Sequence, residues 1–224
     1  MGLKDIINTV KEKIENVKDT LIGDDSKDKF FSSENGFPSE AIAEREFERA
    51  KQKLFSVNEW SNMPGITSSF QLYKSSGEIR FTNNPEKGDY ILISLPGKLP
   101  ENWVKITEIK DSTDTAEFTV SPSPQPKRTK LNRKEEEDET EHFFTSDASS
   151  TFLIKRDGKM IYAYEIGKDE EINNQGEEAA GRKWINTLIA AGGWLGFQKL
   201  QWEKLTDYLV HKVELVTYQK DKTE

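Results

Sequence analysis

The sequence predicts an α+β fold: an antiparallel sheet of about seven or eight strands, covered by two C-terminal helices and preceded by an N-terminal helical extension. Three observations lead there. Short apolar runs separated by turn residues fill the stretch from Phe70 to Gly167, with no helical spacing between them. Arg156-Asp157-Gly158 stands between the runs Ser150–Lys155 and Lys159–Ile166, and Asp-Gly between apolar, aromatic-rich runs is a hairpin signal. Both ends of the chain instead carry apolar residues in steps of three and four. The sheet is expected to curl toward a barrel.

Residues 3–22 are the most regular segment. Leu3, Ile7, Val10, Ile14, Val17 and Leu21 form one apolar seam of a helix, and Gly23 stops it. The other face carries Lys4, Lys11, Lys13 and Lys18 against Asp5, Glu12, Glu15 and Asp19. A balanced face without aromatics on the apolar side does not suit an anionic membrane surface, so a partner helix or self-association is expected. Residues 23–38 read as a connection in which Phe30, Phe31 and Phe37 dock somewhere. Ser39 is a candidate N-cap for a second helix running to about Val57, with Ala43, Phe47, Ala50, Leu54 and Val57 on one stripe. Met63-Pro64-Gly65 ends that pattern. We therefore divide the chain into an N-terminal helical part, 1–58, and a sheet domain, 66–218.

In the sheet domain, Phe70 with Leu72 and Ile79 with Phe81 alternate around Ser75-Ser76-Gly77. Tyr90–Leu95 is a continuous apolar run, and Trp103–Ile109 and Ala116–Val120 follow as strands. Residues 121–141 interrupt the sheet with three Ser/Gln-Pro steps and then opposed blocks of base and acid, which reads as an exposed loop. His142-Phe143-Phe144 resumes the sheet, and the Asp157-Gly158 hairpin carries apolar groups on both faces, as expected of a central, doubly covered pair. Two helices are expected after it. One spans Glu177–Ala191, and a last one carries Leu200, Trp202, Leu205, Leu209 and Val213 on one face.

Composition narrows the function classes. The net charge of −8 opposes general nucleic-acid binding, which needs a positive surface to displace counterions. The chain has no cysteine, which removes disulfides, thiolate nucleophiles and zinc–thiolate sites. No apolar run approaches the roughly 20 residues of a spanning helix, and Lys11, Glu12 and Lys13 interrupt any leader-like stretch. A cytoplasmic location is the expectation.

Chemistry-bearing residues are sparse. There are two histidines. His142 lies near Asp147, Ser149 and Ser150 in sequence, the one grouping with nucleophile–base–acid character, but no Gly-x-Ser-x-Gly elbow accompanies it. His211 reads as a polar-face residue near a helix C-terminus. Metal-ligand and phosphate-loop spacings are absent, so no metal or cofactor is expected. The sequence therefore favours a noncatalytic interaction or assembly protein acting through the 3–21 seam. A sheet pocket for a small molecule or lipid, lined by aromatics, is the alternative. A hydrolase centred on His142 is the least supported.

Overall fold

The structure, a computed structural model, describes residues 29–95, 101–126, 147–168 and 194–215. Its strands are β1 (Lys29–Gly36), β2 (Ser69–Tyr73), β3 (Tyr90–Ser94), β4 (Asn102–Asp111), β5 (Thr115–Pro122), β6 (Ser149–Asp157) and β7 (Met160–Lys168). Two α-helices, α1 (Glu40–Phe55) and α2 (Trp194–Leu209), and a 3₁₀ helix (Val57–Asn62) accompany them. The strands form one antiparallel sheet in the order β1-β7-β6-β5-β4-β3-β2, curled into a half-barrel. The predicted meander is therefore present from β2 to β7. Asp157 pairs with Met160 across the hairpin. Gly158 opens that turn at a φ of 57°, a left-handed value that side chains resist.

The expected α1 is seen with the cap read from the sequence. Ser39 is extended, and its hydroxyl accepts from the Ile42 N–H. Ala43, Phe47, Ala50, Leu54 and Val57 are all fully buried, so the four–three stripe is the face that meets the sheet.

Three element readings need correction. The connection 23–38 contains β1, which pairs with β7 along its whole length. The Ile79–Phe81 strand is reduced to one isolated bridge between Tyr73 and Ile79, and Phe81 is 85% exposed. The last helix ends at Leu209, so Val213 lies beyond its apolar face. The predicted helices over 3–22 and 177–191 and the strand at 142–144 lie outside the described residues. The hairpin's two faces also differ. Phe152, Ile154, Ile161 and Ala163 are buried on the inner face, whereas Leu153, Tyr162 and Tyr164 on the outer face are half-buried.

The two edges of a half-barrel do not meet, and α2 fills the space between them. One flank of α2 holds β1. Ser33 Oγ donates to Asp207 Oδ1 at 2.6 Å, and Asn35 Nδ2 donates to the Val210 carbonyl at 2.8 Å. The opposite flank holds the segment before β2, where Gln201 Nε2 donates to Thr67 Oγ1 at 3.2 Å and Lys204 Nζ to the Gly65 carbonyl. The side between these flanks, Trp202, Leu205 and Leu209, packs on the core.

The free edge of β2 is satisfied by side chains of the 3₁₀ helix. Asn58 Oδ1 accepts from the Leu72 N–H at 2.7 Å, and Ser61 Oγ accepts from the Phe70 N–H at 2.8 Å. Replacing Asn58 by Ala leaves the Leu72 N–H without that acceptor. Urea titration is expected to show a loss of about 1–3 kcal/mol. Phe118→Ala, at a fully buried site, is expected to cost about 3–5 kcal/mol. An Asn58→Ala loss below a few tenths of a kcal/mol would show that water replaces the side chain.

Candidate functional site

The half-barrel has two unlike ends. At one end lie the β4–β5 and β6–β7 turns, closed by α1 and the residues leading into it: Lys51 Nζ of α1 reaches Asp111 Oδ1 at 2.9 Å, and the Phe37 N–H, ahead of the helix, donates to the Lys159 carbonyl at 2.9 Å. At the other end, β3, β5 and β7 finish, and β1, β4, β6 and α2 begin. Loops held by a rigid sheet in this way commonly carry recognition.

Between the ends runs a column of aromatic rings. Trp60, from the 3₁₀ helix, stacks on Phe118 at 5.9 Å and meets Phe70 and Phe152 edge-on at 5.6 and 5.2 Å. Trp202 of α2 continues the column, 5.3 Å from Phe152 and 6.3 Å from Phe70. The Trp60 N–H donates to the Lys53 carbonyl at 2.9 Å. The Trp202 N–H is sequestered from solvent and has no acceptor among the described residues. A buried donor of this kind normally finds a partner, so the position suits an acceptor from outside the described protein atoms. Polar groups share this part of the inner face. Glu165 is fully buried between Phe152 and Phe31 in register, and Asn102 is 6% exposed opposite Ile93.

A second polar cluster joins α1 to the end of α2. The helix terminates with the His211 N–H bonded to the Tyr208 carbonyl at 3.1 Å and the Lys212 N–H to the Asp207 carbonyl at 2.9 Å. This closure places His211 at a φ of 65°, where glycine is usual. The ring is buried edge-on against Phe37, and Nε2–H donates to the Glu46 carbonyl at 2.8 Å. Nδ1 lies 3.6 Å from Glu214 Oε1. Beside it, Lys53 Nζ donates to the Tyr208 carbonyl at 2.8 Å, pairs with Glu214 at 3.0 Å and sits 4.4 Å from the Tyr208 ring centroid. Arg49 pairs with both Glu46 and Glu214.

Burial holds both His211 and Lys53 below their ordinary values, against the opposing pull of Glu46 on the histidine and of Glu214 on the lysine. For Glu214, burial works upward, but the Lys53 ammonium outweighs it and the carboxyl lies below its ordinary value. Burial pushes the Tyr208 hydroxyl up to about 12. The His211 ring thus ties α2 to α1, and its reading as a polar-face residue near a helix C-terminus is corrected: the side chain is buried in the junction.

The residues singled out from sequence fare unevenly. Asp147 is exposed just before β6, and Ser149 is half-buried at the strand's first position, opposite Lys168. His142 and the seam Leu3, Ile7, Val10, Ile14, Val17 and Leu21 lie outside the described residues. No cluster of three or more metal-ligating side chains occurs among the described residues. No helix there is long and apolar enough to cross a membrane. Trp202 was legible in sequence only as a core anchor, because an unpaired N–H is a property of its surroundings.

No protein-family model and no curated protein matches the chain. Solved structures offer distant likenesses. A hypothetical protein of Helicobacter pylori is 10% identical, with a TM-score of 0.46, over 85% of this chain and 92% of that one. The ginseng major latex-like protein 151 of Panax ginseng is 14% identical, with a TM-score of 0.35, over 74% of this chain and 93% of that one. The extracellular domain of PknH from Mycobacterium tuberculosis is 12% identical, with a TM-score of 0.35, over 84% of this chain. There the match spans 58% of the neighbour's length. Likenesses this distant carry no argument for function.

The histidine cluster sets a pH dependence. His211 binds a proton less readily folded than unfolded, so its contribution to stability is complete above about pH 6.5. It is lost as pH falls through the lower folded value. Glu214 has the same sign, but its loss begins only near its ordinary value of 4.5. His211→Asn removes the titration while tolerating the left-handed backbone. Urea midpoints of the natural chain should fall from about pH 7 to about pH 5.5, and those of the variant should fall less. Parallel curves would refute the assignment.

Proposed function

We propose that this chain is a noncatalytic binding protein that takes a small apolar molecule into the half-barrel, against Trp202 and Phe152, from the end where β3, β5 and β7 finish. The ligand class is an aromatic or aliphatic body bearing one hydrogen-bond acceptor. The observation that carries this reading is the Trp202 indole, which ends a column of rings with its N–H sequestered and without an acceptor among the described residues. Ligand sites of this kind combine apolar walls with a few placed polar groups. The curled sheet and α2 provide the walls, and the Trp202 donor provides the orientation.

Transfer of this reading to an enzyme lacks support in the described geometry. The buried histidine is committed to a helix junction, and Asp147 and Ser149 stand at the sheet margin, just before β6 and at its first position.

Fluorescence titration with 1-anilinonaphthalene-8-sulfonate, an apolar probe with acceptor oxygens, tests the proposal. Saturable binding at one site is expected. Trp202→Phe keeps an aromatic ring, though a smaller one, and loses the donor, and should weaken binding about five- to tenfold, the factor one hydrogen bond supplies. Nonsaturating binding, or an unchanged affinity in a Trp202→Phe chain of unaltered circular dichroism, would overturn it.

A further inference from the structure

The outer face of the sheet carries a feature that the binding proposal does not use. On β1, β7 and β6 it presents Phe30, Tyr162, Tyr164, Ile166 and Leu153, all half-buried. The Phe30 and Tyr164 rings lie 5.7 Å apart, and Tyr162 and Tyr164 stack at 6.4 Å with their planes 6° from parallel. Polar residues rim the patch: Glu34 is exposed on β1, and Lys155 lies at the far side of β6. The described helices do not account for it, because α1 and α2 pack on the opposite, inner face with Phe152, Ile154 and Ala163. A contiguous apolar sheet face of this kind calls for a cover.

We infer that residues 3–22 form an amphipathic helix that folds back onto this outer face of the same chain. Four features select this occupant. The segment enters the sheet at Lys29, next to Phe30 at the margin of the patch, so a linker of residues 23–28 joins the seam to its target. Such a linker spans up to about 20 Å when extended, enough to reverse direction beside β1. The seam from Leu3 to Leu21 is about 27 Å long as a helix, and β7, with nine residues, is about 30 Å long as a strand. The four lysines and four acids of the segment balance, so the helix approaches a rim bearing both Glu34 and Lys155 without net repulsion. Tethering also favours the chain's own face, because a short linker holds the helix at an effective concentration on the order of millimolar. The other long segment beside the patch, 169–193, is fixed at both ends, to Lys168 and Trp194, where β7 finishes and α2 begins. Attachment at two points leaves it less freedom than a one-ended segment to lie along the strands, so it is the poorer candidate for a cover.

The absence of native cysteine allows a direct test on the full chain. A short bis-maleimide is applied to the pair Val10→Cys with Leu153→Cys. A second pair, Lys11→Cys with Glu34→Cys, uses polar and exposed positions that leave packing intact. Peptide mass mapping is expected to find an intrachain link in most molecules of both pairs. Adding Ile14→Asp to the second pair spoils the seam and should lower the link yield at least tenfold. Links found only between chains would mean that a second copy covers the face, and would overturn the inference. No link in the second pair, or a yield indifferent to Ile14→Asp, would overturn it as well.

Discussion

The structure depends on α2 occupying the space between the two edges of a curled sheet. A sheet that curls without closing leaves its inner apolar face open along one side. Here that side is filled by a helix with three distinct aspects. One flank hydrogen-bonds to Ser33 and Asn35 of β1, the opposite flank to Gly65 and Thr67 ahead of β2, and the aspect between them buries Leu205 and Leu209. The polar flanks fix the helix in register against both edges, and the apolar aspect supplies the burial. Neither alone would hold the barrel shape, since the edges have no hydrogen bonds to each other.

The junction of α1 and α2 shows what this arrangement costs in polar burial. Lys53 reaches into a site where burial disfavours its charge, and it is retained by the Tyr208 carbonyl, the Tyr208 ring and Glu214 together. His211 adopts a left-handed backbone that the sequence could have given to glycine. Its ring is the reason: a glycine there would end α2 equally well but would lose the hydrogen bond to the Glu46 carbonyl and the packing on Phe37. The pair ties the helix that fills the gap to the helix that closes the end.

Much of this was legible in the sequence where one physical rule acted alone. The stripe of α1 and the runs of β3 to β7 followed their periods because each buries a single apolar face. β1 escaped because its inner face is mostly polar, Phe31 being followed by Ser33 and Asn35. Ser33 and Asn35 stand where apolar residues would alternate, and their side chains serve α2 instead of the core. The Ile79–Phe81 reading failed for the converse reason. The alternation is present, but Arg80 is drawn to Asp89 and Glu86, and only one bridge forms. The end of α2 was hidden because no glycine marks it. Nothing in a sequence distinguishes Trp60, whose N–H meets a carbonyl, from Trp202, whose N–H meets none among the described residues.

The capping of the β2 edge by Asn58 and Ser61 has a consequence for how this protein can meet others. A strand edge with open N–H and C=O groups is a template on which a foreign peptide or another copy can be added. Here the Phe70 and Leu72 amides are already engaged, and the β1 edge lies along α2. Extension of the sheet into a fibre therefore requires the 3₁₀ helix to lift away first. Six residues, Val57–Asn62, stand guard over the β2 edge.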